Sequence, residues 1–296
     1  MKKTVFTGAG VAIVTPMNPD DSINYDVLGK LIDIQIENGT DAIISCGTTG
    51  ESATMTPQEH VDVLKFTIDR VNKRVPVIAG TGSNETAFAA QLSMEAERLG
   101  ADALLIVTPY YNKTSQEGLV AHYNYIADRV NIPIILYNVP SRTGCNIKPE
   151  TYVKLAKHPN IVATKEASGD LSAVAKIAAL CGDDLAIYSG NDDQIVPVMS
   201  LGGKGVISVL SNVMPKLAHD ICAEYLNGNV KKSAELQLKY LDLINALFCD
   251  VNPIPVKEAL NLMGVNAGGC RLPLYPMNEA NKTVLKNALL NHGLIK

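Results

Sequence analysis

The chain has 296 residues, of which 47% are apolar and 19% charged, and its formal net charge is −4. A chain of about 300 residues can bury roughly three quarters of its unfolded surface, so a complete hydrophobic core is available. The apolar content excludes a disordered chain, and the slight acidity disfavours nucleic acid as a partner because no basic surplus exists to displace counterions from phosphates.

Hydropathy and cysteine usage point to a cytoplasmic protein. No stretch approaches the ~20 apolar residues of a bilayer helix, so no membrane association is expected. Lys2 and Lys3 precede an apolar run as in a signal peptide, but Gly8 and Gly10 interrupt it and no cleavage site follows, so we interpret this run as a first strand. The six scattered cysteines predict reduced thiols, and the five dispersed histidines, without an HExxH motif, predict no metal site.

Short β-branched runs alternate with longer amphipathic stretches along the first 226 residues. The predicted elements, in chain order, are strand 10–15, helix 25–38, strand 42–45, helix 57–71, strand 75–79, helix 85–99, strand 103–108, helix 116–130, strand 134–138, helix 149–157, strand 161–165, helix 171–181, strand 185–189, helix 194–201, strand 205–209 and helix 215–226. Only helices follow, at 230–248, 255–263 and 279–291.

The predicted strands are continuous apolar runs such as 104–107, which is typical of parallel strands covered by helices on both faces. Eight βα units in succession favour a closed (β/α)₈ TIM barrel over an open doubly wound sheet. We therefore expect an α/β protein with a catalytic barrel over residues 1–226 and a C-terminal all-helical region over residues 227–296, packed on the barrel.

Active sites of such barrels lie where the strands end, and Lys165 lies at the end of the sixth predicted strand. A lysine amine is almost fully protonated at neutral pH, but apolar surroundings can lower its pKa enough for attack on a ketone as a Schiff-base nucleophile. The alternative is a strand-end lysine that either pairs with Glu166 or extends its amine to water.

Other strand-end residues each allow a functional and a structural interpretation. The turn 47–50 can bind a small carboxylate or can be an ordinary βα turn. Tyr137 and Tyr111 can relay protons or simply pack, and Arg142 can bind a second carboxylate or fasten its loop. The segment 80–85 imitates a dinucleotide fingerprint, but Glu85 replaces the third glycine, so no nucleotide cofactor is expected.

Three ordered motifs carry a family resemblance: Gly-Thr-Thr-Gly-Glu at 47–51, Tyr-Asn-Val-Pro-Ser-Arg-Thr-Gly at 137–144 and Lys-Glu-Ala-Ser-Gly at 165–169. Together they resemble the pyruvate-dependent class I aldolase/lyase superfamily, and within it the dihydrodipicolinate synthase family. The resemblance implies that Lys165 forms an imine with pyruvate and that the enamine attacks L-aspartate 4-semialdehyde. The implied product is 4-hydroxy-tetrahydrodipicolinate, on the route to diaminopimelate and lysine, and no metal or organic cofactor is implied.

The resemblance also implies a role for each matching residue. Tyr137 would donate and accept protons beside the imine, and Thr48 would link it to Tyr111 of a neighbouring subunit. Substrate binding would fall to four residues: Thr49 for the pyruvate carboxylate, Arg142 for the semialdehyde carboxylate, and backbone groups of Gly190 and Ile207 lining the imine pocket. The implied assembly is a homotetramer of tight dimers, although the family has dimeric members.

Two alternatives are weaker. N-acetylneuraminate lyase resembles the chain in fold and lysine, but its strand-2 motif usually begins Gly-Ser-Thr and it lacks the Pro-Ser-Arg-Thr-Gly loop, so Thr48 and Arg142 favour the synthase. A non-catalytic binding barrel is disfavoured because the lysine, the tyrosines and the arginine are all present.

Lysine-inhibited members of the family bind lysine at the tight-dimer interface, and most of those positions match here: Ser52, Ala53, His60, Asn84 and Tyr110. Pro57 and Phe88 replace a histidine and a glutamate. Loss of the glutamate leaves the lysine ammonium without a partner, which is costly in a buried site. We predict weak or absent lysine inhibition.

Overall fold

Eight parallel strands form a closed barrel in sequential order in the computed structural model, which describes residue 2 and residues 4–296. The strands are β1 Gly8–Ala12, β2 Ala42–Ser45, β3 Val77–Gly80, β4 Ala103–Val107, β5 Ile134–Asn138, β6 Ile161–Glu166, β7 Ala186–Ser189 and β8 Gly205–Ser208. The pair β1–β8 closes the barrel. The predicted TIM barrel is confirmed, while the signal-peptide comparison falls partly on residues 1 and 3, outside the described residues.

Helices follow the strands and surround the barrel. They are α1 Tyr25–Glu37, α2 Pro57–Val71, α3 Thr86–Leu99, α4 Gln116–Ala127, α5 Pro140–Thr143, α6 Pro149–Leu155, α7 Leu171–Cys181, α8 Ile195–Ser200 and α9 Pro215–Leu226. Four C-terminal helices complete the chain: α10 Val230–Lys239, α11 Leu241–Ala246, α12 Ile254–Leu262 and α13 Glu279–Asn291. Among the described residues no helix is both long and apolar enough to cross a bilayer, and the six cysteines are free thiols.

Two helix starts follow directly from local sequence. Thr56 and Glu59 form a capping box at the start of α2, with Pro57 in the first turn. Helix α3 begins at Thr86 because the carboxylate of Glu85 caps it, accepting from the backbone N–H groups of Ala87 and Phe88. Glu85 thus occupies backbone donors that a phosphate group would otherwise use.

Besides shifts of a few residues at the ends of several elements, two regions form elements that were not predicted. The Pro-Ser-Arg-Thr segment, expected to be a loop, is the short helix α5, which begins with Pro140 and ends at Gly144 in the left-handed region with φ +66°. The predicted helix 230–248 is divided into α10 and α11 at Tyr240, whose φ/ψ of −107°/16° departs from helical geometry. The Tyr240 ring packs on the ring of His292, directly after α13, at 4.5 Å between centroids.

The C-terminal helices contact the face of the barrel where the strands end. Lys257 in α12 is buried and donates to the Glu51 carboxylate at 2.7 Å, and to the Thr15 carbonyl at 3.1 Å. Asn252, just before α12, contacts Thr49 and Arg142. The loops after β1, β2 and β5 are therefore held in part by residues from the far end of the chain.

Candidate active site

Lys165 lies near the end of β6, and its side chain points into the barrel. The register pairs it with Tyr137 of β5 on one side and with Tyr188 of β7 on the other. The β5–β6 register shifts between Ile134 and Ile135, so β6 carries one extra residue near Val162. Because a one-residue shift exchanges the two faces of a strand, this irregularity contributes to the inward aim of Lys165.

The Lys165 amine lies beside an aromatic ring, and the buried Asp192 carboxyl is near enough to interact with its charge. The residue is only 6% exposed, and Nζ lies 4.3 Å from the centroid of the Tyr137 ring. Within residues 2 and 4–296, Lys165 Nζ has no hydrogen-bond acceptor and no salt-bridge partner. A buried, unpaired amine beside a phenol is an arrangement suited to attack on a carbonyl carbon and to proton transfer there.

Glu166 does not pair with Lys165, so that alternative interpretation is wrong. Successive residues of a strand point to opposite faces, and Glu166 points away from the barrel interior. Its carboxylate accepts hydrogen bonds from the Asn138 side chain at 3.1 Å, from the Tyr152 hydroxyl at 3.0 Å and from the Ser168 backbone at 2.8 Å. With its oxygens satisfied, Glu166 holds the end of β6 in place and does not serve as a counterion for Lys165.

The three relay residues are not joined within one chain. Tyr137 is buried beside Lys165, and Thr48 is half-buried in the turn after β2. Tyr111 is 91% exposed and lies in the left-handed region with φ +69°, a conformation that costs about 1–3 kcal/mol for a residue other than glycine. In the described part of the chain no hydrogen bond links Thr48 to either tyrosine. The relay stays a prediction that needs a second subunit.

The two predicted carboxylate-binding residues share a partner that sequence reasoning missed. Thr49 is buried, and its hydroxyl oxygen accepts a hydrogen bond from Asn252 Nδ2 at 3.0 Å. Arg142 is exposed on α5 and donates from Nη2 to the Asn252 carbonyl at 3.2 Å. Asn252 lies 203 residues from Thr49 in the chain, and no local pattern marks it.

Gly190 directly follows β7, and Ile207 lies within β8. A Cβ at Gly190 would lie 2.6 Å from the Ala167 Cβ, so only glycine fits there. Nearby Asp192, which sequence analysis did not assign, accepts from the backbone N–H groups of Val209 and Leu210 at 3.0 and 2.9 Å. Burial raises the pKa of the Asp192 carboxyl. Asp192 thus fixes the turn after β8 beside the predicted imine pocket.

A cavity of about 530 Å³ joins part of the active site to most of the predicted regulatory positions. Thr48, Arg142 and Asn252 line one part of it. The regulatory positions that line it are Ser52, Ala53, Pro57, His60, Phe88 and Tyr110. Asn84 lies instead in a neighbouring groove with Thr86 and His122.

The cavity offers little to a cationic ligand, because the carboxylate of Glu51, which lines it, is already paired with Lys257. Burial lowers the pKa of His60, whose Nε2 lies 2.8 Å from the Gly80 carbonyl oxygen. The walls include Met55, Leu92 and Phe88. Within the described residues, no three His, Cys, Asp or Glu side chains lie close enough together to hold a metal ion.

The closed barrel, with a buried amine over a phenol ring at its C-terminal end, defines a (β/α)₈-barrel enzyme equipped for carbonyl chemistry. Residues 5–292 match the model of the Dihydrodipicolinate synthetase family, and the chain belongs to that family.

Relatives and solved structures agree with this membership. The 4-hydroxy-tetrahydrodipicolinate synthase of Caldicellulosiruptor saccharolyticus is 59% identical over 290 residues, covering 98% of each chain. The enzyme of that name from Clostridium perfringens is 59% identical over 292 residues, covering 99% of this chain and 100% of the relative. The dihydrodipicolinate synthase of Acinetobacter baumannii, solved with pyruvate, is similar with a TM-score of 0.96 at 46% identity, covering 99% of this chain and 100% of the other.

Proposed function

We propose that this chain condenses pyruvate with L-aspartate 4-semialdehyde to give 4-hydroxy-tetrahydrodipicolinate, in diaminopimelate and lysine biosynthesis, with Lys165 as the nucleophile. The observation that carries the assignment is the buried Lys165 amine, free of any ion pair in the described chain, 4.3 Å from the centroid of the Tyr137 ring. Family membership supports the same reaction, and so do two relatives named 4-hydroxy-tetrahydrodipicolinate synthase at 59% identity.

The chemistry proceeds through a covalent imine. The Lys165 amine adds to C2 of pyruvate, a proton moves from its nitrogen to the new alkoxide, and the resulting hydroxyl leaves as water with a proton from Tyr137. The phenolate of Tyr137 then takes a proton from C3, giving an enamine. The enamine C3 attacks the aldehyde carbon of the semialdehyde, and Tyr137 returns its proton to the new alkoxide. Finally the amino group of the semialdehyde adds to C2, gives one proton to the Tyr137 phenolate and one to the departing Lys165 amine, and so closes the ring and frees the enzyme.

Substrate binding follows from charge. Both substrates carry a carboxylate, and the buried Thr49 hydroxyl and the Arg142 guanidinium are both hydrogen-bonded to Asn252. Thr49 and the turn around it bind the pyruvate carboxylate, while Arg142 binds that of the semialdehyde. Gly190 and Ile207 line the imine pocket, and the walls of that pocket keep water from the imine.

The assignment of Lys165 is tested by borohydride reduction in the presence of pyruvate, followed by peptide mapping. We expect the adduct on the Lys165 peptide, with no adduct in Lys165→Arg and full labelling in Lys176→Arg, which changes an exposed lysine. An adduct on another peptide refutes the mechanism. Consumption of pyruvate with aspartate semialdehyde, and none with N-acetylmannosamine, separates the synthase from N-acetylneuraminate lyase.

The proposed assembly is a cytoplasmic homotetramer of tight dimers in which Tyr111 serves the neighbouring subunit. Its 91% exposure supports a role outside its own chain. A solved relative is described as a monomeric variant, so the oligomeric state needs its own measurement, by sedimentation velocity.

A mixing experiment tests the sharing of Tyr111. Inactive Lys165→Ala and impaired Tyr111→Phe are combined under subunit exchange, which pairs an intact Lys165 with an intact Tyr111 from the partner. We expect activity above the sum of the two parents. A mixture that only adds the parents' rates, although exchange has occurred, contradicts a shared site.

A further inference from the structure

The loop before α12 brings one amide side chain to the carboxylate-binding end of the active site. Asn252 is 5% exposed. Its Nδ2 donates to the Thr49 hydroxyl oxygen at 3.0 Å, and its backbone carbonyl accepts from Arg142 at 3.2 Å. Its Oδ1 is buried and has no hydrogen-bond partner among the described residues. One residue from the C-terminal region therefore contacts both proposed carboxylate-binding residues.

The direction of the hydrogen bond to Thr49 has a chemical consequence. A threonine hydroxyl has one proton to donate and two lone pairs that accept. Because Asn252 Nδ2 donates into one lone pair, the hydroxyl proton cannot point at Asn252 and is available to another acceptor. In the described chain Thr49 Oγ1 has no other hydrogen-bond partner. A substrate carboxylate offers an ionised acceptor, and hydrogen bonds to ionised groups are the stronger ones.

We propose that Asn252 is a positioning residue that makes Thr49 a hydrogen-bond donor toward the pyruvate carboxylate. The inference rests on the proposed function, since it assumes that Thr49 binds pyruvate. Asn252 contacts Arg142 through its backbone carbonyl, which a side-chain substitution leaves in place. Substitutions of the Asn252 side chain therefore raise KM for pyruvate and leave KM for the semialdehyde nearly unchanged.

The experiment compares Asn252→Asp and Asn252→Ala with the native protein, by steady-state kinetics in both substrates between pH 6 and 9. An aspartyl carboxyl has a pKa of about 3.9 and is therefore ionised throughout this range. An ionised carboxylate only accepts, so it draws the Thr49 proton toward itself, and we expect KM for pyruvate to rise about tenfold or more in Asn252→Asp. In Asn252→Ala we expect a smaller rise in KM, because alanine leaves the Thr49 proton free to turn toward the substrate.

Controls separate positioning from folding and from charge. KM for the semialdehyde stays within about twofold of native in both variants, a split that general damage to the site would not produce. Asn245→Asp adds the same charge at an exposed position of the C-terminal region and leaves both constants unchanged. Thr49→Val removes the hydroxyl, and adding Asn252→Ala to it has no further effect on KM for pyruvate, because the Asn252 side chain acts only through that hydroxyl.

Several results would overturn the inference. If KM for pyruvate is unchanged in both Asn252→Asp and Asn252→Ala, the Asn252 side chain does not position Thr49. Native KM in Asn252→Asp, with a loss in Asn252→Ala, means that Asn252 accepts from Thr49 rather than donating to it. If either Asn252 variant fails to fold, the other is combined with Thr49→Val. An additive rise in KM for pyruvate in that double variant still refutes the coupling between Asn252 and Thr49. Absence of a borohydride adduct in the native protein instead refutes the proposed function itself.

Discussion

The ion pair between Lys257 and Glu51 joins the C-terminal helices to the loop after β2, and its disruption is the sharpest test of how the fold supports the site. Both side chains are fully buried, and Nζ lies 2.7 Å from Oε1. Lys257→Met leaves the Glu51 carboxylate buried without a cation at Oε1, with the Arg271 backbone N–H at 3.0 Å from its other oxygen and the Cys270 thiol beside it. Removing one partner of a buried pair costs about 3–5 kcal/mol.

The expected change in melting temperature follows from chain length. At about 2.1 cal/mol/K per residue, unfolding of 296 residues has an entropy of roughly 0.6 kcal/mol/K, so the loss corresponds to about 5–8 °C. Circular dichroism during heating measures it, at matched protein concentration because any subunit assembly shifts Tm. Lys65→Met is the matched control: its pair with Asp69 is exposed, and such pairs contribute about 0–1 kcal/mol.

A double substitution separates the charge from the packing. In Lys257→Met with Glu51→Gln no ionised group is left buried alone, so we expect more than half of the lost stability to return. If Lys257→Met melts no lower than Lys65→Met, or if the double variant is the sum of the two singles, the pair does not connect the two parts of the chain as described.

Three further predictions concern pH and regulation. The hydrogen bond from Arg271 lowers the pKa of Glu59 from 4.5 to about 2, so this pair contributes stability above pH 4.5 that is lost as the pH falls toward 2. The urea midpoints of native protein and Arg271→Gln differ at neutral pH and converge below about pH 4; a constant gap contradicts this. Burial lowers the pKa of His122 from 6.5 to about 4, so the unfolded chain takes up the proton first and stability falls between pH 6.5 and 4. His122→Asn flattens that part of the profile, and an unchanged slope refutes the assignment. With Phe88 and Pro57 in the regulatory cavity, lysine leaves the steady-state rate nearly unchanged, and inhibition by submillimolar lysine would falsify this.

Elements with strong local signals were predicted with their observed bounds. Helices α2, α7, α9 and α13 and strands β2 and β5 match because prolines, caps and continuous apolar runs mark them. The predicted strand 10–15 instead ends at Ala12. There the Val14 N–H donates to the Asn212 side chain and the Thr15 hydroxyl to the Gly50 carbonyl, so the backbone leaves the sheet. Those partners come from distant parts of the chain, and no local pattern includes them.

In the active site, too, some features follow from local sequence and others depend on contacts between distant parts of the chain. Lys165 and Tyr137 were predictable as neighbours because consecutive parallel strands lie side by side in a barrel and both residues fall at strand ends. The aim of Lys165 depends in addition on the extra residue in β6, which is a property of strand pairing. Glu166 is adjacent in sequence but faces the other way, and strand alternation alone accounts for that.

The sequence predicts that the C-terminal region packs on the barrel, but it does not predict which of its residues contact the active site. Those contacts bear on function. We propose that residues 227–296 pack on the barrel of residues 1–226 as part of the same folding unit. Asn252 contacts Thr49 and Arg142, and Lys257 contacts Glu51 in the loop that carries Thr49. If that region were absent, a buried carboxylate would lose its cation and the Thr49 hydroxyl would lose its donor. The C-terminal helices are therefore a structural requirement of the carboxylate-binding loop, although the chemistry belongs to the strand ends.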